Sequence, residues 1–154
     1  MIRVENISKH YSSTCALNKV SFEVKRGEMF GLIGPDGAGK TSLFRILTTL
    51  IDADRQPGSG AYIAEYNNET RQWLNVVDDY KKIRSSVGYM PGRFSLYQDL
   101  TVEENLTFFA TLFGTTIEEN YHLVRDIYSQ IEPFKTRRAG KLSGGMKQKL
   151  ALSC

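Results

Sequence analysis

Apolar and polar residues alternate at two places near the N-terminus, at Ile2 and Val4 and again at Val20, Phe22 and Val24. This period of two predicts two half-buried strands around a loop that carries Tyr11. The tetrapeptide KRGE turns the chain. MFGLIG, Met29 to Gly34, is then a nearly unbroken apolar run entering glycine, the pattern of a strand covered on both faces. Past the glycines, KTSLFRILTTL puts Leu43, Ile46, Leu47 and Leu50 at helical spacing, so the predicted order is strand, glycine-rich loop, helix. From Ile51 to Tyr80 the pattern weakens: QPGSG is a turn, AYIA a short strand and YNNETRQWLNVVDDY a polar connection. VGYM, Val87 to Met90, predicts another strand, closed by Pro91 and Gly92. Helices follow: Thr101 with Glu104 and Thr116 with Glu119 have capping-box spacing, ahead of LTFFATLF and YHLVRDIYSQI. The segment LSGGMKQKLALSC, Leu142 to Cys154, reads as an amphipathic helix started by Ser-Gly-Gly, and no repeat, low-complexity tract or clean linker divides the chain.

Composition narrows the class. A chain of 154 residues with 41% hydrophobic and 24% charged residues has the make-up of one globular domain. Such a domain buries roughly 70% of the surface its unfolded form exposes. The net charge of +3, spread along the chain, gives no argument for nucleic acid. No run of about 18 apolar residues occurs, and MIRVENISKHY lacks the apolar stretch of a signal peptide, so a cytosolic protein is expected. Cys15 and Cys154 lie far apart without metal-ligand spacing and read as reduced thiols. The sequons at Asn6, Asn68 and Asn105 then read as accidents of composition.

The candidate chemistry centres on GPDGAGKT, Gly34 to Thr41, which fits G-x-x-x-x-G-K-[ST], the phosphate-binding P-loop, in its required place between strand and helix. Gly34, Gly37 and Gly39 let the backbone wrap close to phosphates with N–H groups turned inward. Lys40 supplies a mobile point charge for the β- and γ-phosphates, Thr41 a hydroxyl for Mg²⁺, and Ser42 a donor to a nearby phosphate. The expected ligand is a nucleoside triphosphate. The Ser143-Gly144-Gly145 start of the last helix also invites an anion, because free N–H groups and the positive end of the helix dipole meet there. Two glycines in a first turn cost helix stability and exceed what a serine cap needs.

A P-loop is shared by kinases, GTPases and transport ATPases, so the remaining motifs decide. LSGGMKQK, Leu142 to Lys149, resembles the signature sequence of ATP-binding cassette (ABC) proteins, at a similar distance beyond the P-loop. Tyr11, ahead of ALNKVSFEVKRGEMFGLIGPDGAGKTSL, looks like the aromatic that stacks on adenine in that family. VGYMPGRFSLYQDLTVEENL is similar to the loop that contacts the membrane partner. The resemblance is to the N-terminal part of an ABC transporter ATP-binding subunit, most like bacterial multidrug-type export ATPases. It implies an α/β P-loop NTPase core with an N-terminal antiparallel β portion and a helical insertion before the signature helix. The corresponding parts are 1–92, 93–141 and 142–154. It further implies ATP and Mg²⁺ as cofactors, with Tyr11, Gly34, Asp36, Gly37, Ala38, Gly39, Lys40, Thr41, Ser42, Ser143, Gly144 and Gly145 as nucleotide contacts and Thr41 on the metal. The implied partners are a transmembrane subunit and a second cassette, whose ATP the signature helix would close over; no nucleic acid is expected. The place is the inner face of the cell membrane.

Three departures from the family pattern stand out. Asp36 replaces the commoner asparagine, and Gly92 stands where the family has a glutamine that reaches the metal and the attacking water. The apolar strand ending in Asp-Glu and the switch histidine that follow the signature in the family do not occur here, so the general base is absent and no hydrolysis by this chain alone is expected. LNVVDD, Leu74 to Asp79, is the one other stretch that could offer that carboxylate pair, but it precedes the signature and Asn75 interrupts it. His10 and His122 offer no pairing that suggests metal or catalysis. Two other functions fit the same motifs: a soluble ABC protein working on ribosomes or DNA, separable by what co-purifies, and a nucleotide-binding module without turnover.

Overall fold

The computed structural model describes residues 1–67 and 70–154, with Asn67 described by its backbone alone. The chain divides into two compact units, Met1–Tyr89 and Met90–Cys154. In the first, β1 (Ile2–Tyr11) and β2 (Thr14–Val24) form an antiparallel hairpin in which Tyr11 is the last residue of β1, paired with Thr14. β3 (Gly60–Asn67) pairs with the other edge of β1 and β4 (Thr70–Asn75) with β3, giving an antiparallel sheet of order β2-β1-β3-β4. The alternation of the first strands becomes an inward row, with Ile2 opposite Val24, Val4 opposite Phe22 and Ile7 opposite Val20. Onto that row packs α1 (Lys40–Leu47) through buried Leu43, Ile46 and Leu47.

Leu50, expected on the same stripe, is exposed because the helix ends sooner. Leu50 N–H donates to Arg45 C=O at 2.8 Å and Thr49 N–H to Ile46 C=O at 3.0 Å, the two bonds of a Schellman stop. That stop needs a left-handed residue, and here it is Thr49 at φ +61°, where a β-branched side chain is strained. Arg84, the last residue of α2 (Tyr80–Arg84), holds it there: Nε donates to Thr49 Oγ1 at 2.8 Å and Nη2 to Thr49 C=O at 2.6 Å.

Two expected strands are not strands. Met29–Gly34 has no regular structure, with Leu32 against the core and Phe30 stacked on Phe22 at 5.2 Å, while Met29 and Ile33 are 99% and 98% exposed. A strand exists through its ladder, and among the described residues no segment pairs with this one; Val87–Met90 is irregular for the same reason. Conversely, the stretch read as a polar connection contains β4 and ends where α2 begins, because Leu74 and Val76 reach the core. The carboxylate of Asp79 in LNVVDD accepts the N–H of Asn75 at 2.8 Å, holding the turn between them at the edge of an antiparallel sheet.

The second unit is helical: α3 (Val102–Leu112), α4 (Ile117–Tyr128) and α5 (Gly144–Ser153), with 3₁₀ turns at Glu132–Phe134 and Ala139–Lys141. Both expected capping boxes form. Glu104 and Glu119 accept the N–H of Thr101 and Thr116, and each threonine hydroxyl accepts the N–H three residues on. The core gathers Val102, Leu106, Tyr128, Ile131, Ala139, Leu142 and Leu150 around a wholly buried Asn105. Its amide accepts Tyr97 N–H and donates to the carbonyls of Tyr97 and Thr101, so this sequon is unreachable. The sequon at Asn68 lies outside the described residues. Helix α5 turns Met146, Leu150 and Cys154, four residues apart, to this core, while Leu152 is exposed. Cys15 and Cys154 are both free thiols, and burial pushes that of Cys154 up to about 12.

Candidate nucleotide-binding site

The P-loop is the connection into α1. Gly37 and Gly39 take φ of +82° and +81°, a backbone that L side chains resist, and Ala38 N–H closes the turn onto Pro35 C=O at 3.3 Å. Gly39 is required twice over, because a Cβ there would collide with the carbonyl of Ala16 in β2 and lie 2.9 Å from Leu17 Cδ2. The loop is thereby pressed against the hairpin, and the helix opens with Leu43 N–H on Gly39 C=O at 3.0 Å. The N–H groups of Lys40, Thr41 and Ser42 in the first turn precede the first intrahelical bond and point out of the helix end. The Lys40 ammonium folds back over the loop and donates to the carbonyls of Gly34 and Pro35, both at 2.6 Å. Asp36, Ala38 and Thr41 are exposed.

Tyr11 comes to the same place from 31 residues away: its hydroxyl donates to Ser42 Oγ at 3.1 Å. The Lys9 ammonium sits 5.4 Å from the ring centroid and the ring is half exposed. Ser143, Gly144 and Gly145 belong to the other unit. Ser143 caps α5 by accepting Met146 N–H at 3.3 Å, and a Cβ at Gly144 or Gly145 would meet nothing within 4 Å, so this fold by itself does not demand either glycine.

The helix starts differ in charge. Helices α3 and α4 carry Glu103 with Glu104 and Glu118 with Glu119 in their first turns, opposing the positive end of the helix dipole. Helices α1 and α5 carry no acid there, and α1 has no side-chain cap at all. The short α2 has no acid in its first turn either, but Asp79 stands at its N-cap; α1 and α5 begin in glycine with no acid at either place. These residues suit a triphosphate. Among the described residues no three His, Cys, Asp or Glu side chains gather to hold a metal. A Mg²⁺ with the Thr41 hydroxyl and phosphate oxygens in its shell needs no such cluster.

One pairing went unseen in the sequence: His10 is not isolated, for its Nδ1 lies 2.6 Å from Asp54 Oδ2. Residues 44 apart, each in a polar surrounding, leave no local signal of such a contact.

The ABC transporter family profile matches residues 17–154. Over 133 residues, 85% of this chain and 21% of the relative, the sequence is 41% identical to the probable multidrug ABC transporter ATP-binding protein YbhF of Escherichia coli K12. Over 154 residues, 99% of this chain and 47% of the relative, it is 34% identical to the Nod factor export ATP-binding protein I of Burkholderia orbicola. The chain therefore spans between about a fifth and about half of the curated relatives it matches. Among solved structures, an ATP-binding subunit of an ABC transporter superposes with a TM-score of 0.76 at 29% identity, covering all of this chain and 60% of that one. A dimeric bacterial ABC transporter cassette gives 0.74 at 26%, covering 99% and 68%. The N-terminal antiparallel sheet, the P-loop helix and the helical unit before Ser143 are thus parts of a cassette fold, the α/β P-loop NTPase class. No described helix is long and apolar enough to cross a membrane. By profile, sequence and fold together, this chain belongs to the ABC transporter family.

Proposed function

We propose that this chain is the ATP-binding component of an ABC exporter, coupling ATP binding and hydrolysis to the export of a substrate through a transmembrane subunit at the inner face of the membrane. The observation that carries the reading is the unopposed positive end of α1, set behind a glycine loop and a lysine that rests on neutral carbonyls. Phosphate oxygens are stronger acceptors than amide carbonyls, so Lys40 moves to a triphosphate at a gain. The N–H groups of Gly37 and Gly39 and of the first turn of α1 take the phosphates, Thr41 takes Mg²⁺, and Tyr11 takes the base. When bound, Mg²⁺ neutralises charge on the β- and γ-phosphates. The signature start at Ser143 serves a second cassette. Its glycines leave room for another chain's γ-phosphate to approach the N–H groups of α5. No residue described here is assigned as general base, and turnover is proposed for the paired cassettes with their transmembrane subunit.

The test is calorimetric titration with Mg-ATP. Lys40→Ala deletes the one mobile charge aimed at the β- and γ-phosphates and is expected to remove most of the binding. Equal affinity in the variant and the parent would overturn the assignment.

A further inference from the structure

The end of β1 that carries Tyr11 is poorly supported by the sheet. On its outer edge β1 pairs with β3 only from Ile2 to Glu5, so beyond that point β3 offers no ladder. The hairpin tip from Tyr11 to Cys15 is exposed, with Ser12 at φ +52°. Strand ends of this kind fray. Residue 54 takes over the edge that β3 leaves: Asp54 N–H donates to Ser8 C=O at 2.9 Å, and its carboxylate meets His10 Nδ1 at 2.6 Å. The bond from His10 holds the Asp54 carboxyl below its usual value, with Lys9 adding to the effect. On the inner side, Tyr11 reaches Ser42 at the P-loop helix. The tip is thus fixed at two neighbouring residues, by Asp54 on His10 and by Ser42 on Tyr11.

We infer that the His10–Asp54 pair is a positioning device for the nucleotide base: it locks the last residues of β1 so that the Tyr11 ring is held ready beside the P-loop. Neither side chain touches the nucleotide. Their effect passes through Tyr11, and the inference rests on the proposed role of Tyr11 in taking the base. The phosphates are gripped by the P-loop and α1, elements that the pair does not touch. Loosening the pair should therefore weaken recognition of the base and leave recognition of the phosphates alone.

Binding of ATP and of inorganic tripolyphosphate, measured by calorimetry at one fixed Mg²⁺ concentration, separates these. Asp54→Ala and His10→Ala keep the backbone bond from residue 54 to Ser8 and are expected to weaken ATP binding by about twofold to fivefold, the range a half-exposed polar side-chain contact transmits. Tripolyphosphate binding is expected to stay at the parent value. His10→Asn, whose amide can still donate to the carboxylate, recovers ATP binding. Tyr11→Ala abolishes the preference for ATP over tripolyphosphate, and adding Asp54→Ala to it has no further effect. Equal weakening of both ligands, or no weakening of ATP in either alanine variant, overturns the inference while Tyr11→Ala upholds the reading beneath it. A Tyr11→Ala protein that retains the full preference overturns both. If Asp54→Ala fails to fold, the His10 pair of variants decides in its place.

Discussion

The closest contact in the P-loop makes a strong prediction about two glycines that look alike in sequence. Gly37 and Gly39 both sit near φ +80°, so alanine at either incurs the left-handed penalty of about 1–2 kcal/mol. Alanine also restricts the unfolded chain, which returns about 0.4–1 kcal/mol. At Gly37 nothing lies within 4 Å of the added Cβ, and the net loss should be about 1 kcal/mol. At Gly39 the Cβ collides with the Ala16 carbonyl of β2, a backbone atom that cannot rotate away, and crowds Leu17 Cδ2 at 2.9 Å. Either α1 lifts from the hairpin or β2 bends, and forced overpacking of this kind adds about 1–3 kcal/mol. Gly39→Ala should thus be less stable than Gly37→Ala by about 1–3 kcal/mol. The assay is urea unfolding followed by Trp73, the one tryptophan of the chain, which lies in β4 of the same unit. A difference between the two variants below about 0.5 kcal/mol, the size of an ordinary surface substitution, would refute the close approach of loop and hairpin.

Thr49→Gly removes the strain of the Schellman stop, about 1–2 kcal/mol, but forfeits the part-buried bond from Arg84 Nε, about 1.5–3 kcal/mol, and loosens the unfolded chain. Urea unfolding should show a net loss of about 1 kcal/mol, and a gain in stability would mean that Arg84 contributes little. Asn105→Leu keeps the volume but takes the amide away from both the N–H and the C=O of Tyr97, while Thr101 C=O keeps the backbone N–H of residue 105. Thermal unfolding should register a loss of about 2–4 kcal/mol, and an unchanged midpoint would contradict the buried network. Gly92 lies outside the left-handed region with open space around it, so Gly92→Gln should leave stability unchanged within about 0.5 kcal/mol. In the assembled transporter the same variant should strengthen Mg²⁺-dependent ATP binding or turnover by at most about tenfold; no change in either would make Gly92 a neutral variant of its loop. Backbone bonding from Thr101 lowers the Glu104 pKa, and the bond from the Thr115 hydroxyl lowers that of Glu119. A carboxylate with a depressed folded pKa stabilises above its unfolded value and loses that contribution as pH falls through the folded one. Helix content followed by circular dichroism should therefore drop below about pH 4, and less so in Glu104→Gln, whose amide keeps the box without titrating.

What the sequence determined by itself was local. Capping boxes, the KRGE turn closed by Glu28 N–H on Lys25 C=O, the P-loop and the Ser143 cap depend on residues a few positions apart, so their spacing is their structure. The hairpin row from Ile2 to Val24 was equally legible, because a period of two survives wherever one face is buried. Tertiary structure alone decided the rest. Met29–Gly34 has the composition of a strand covered on both faces, yet a strand is made by its neighbours' hydrogen bonds, and only one of its faces is covered by described residues. β4 hid in a polar stretch because an edge strand needs few apolar residues, and half-buried Trp73 with buried Leu74 was enough. The stop of α1 at Thr49 depends on Arg84, and the fixing of Tyr11 depends on Ser42, His10 and Asp54. Those contacts join residues 31 to 44 positions apart. No periodicity encodes such pairs, because exposed polar side chains are free to meet any partner that the folded backbone brings within reach.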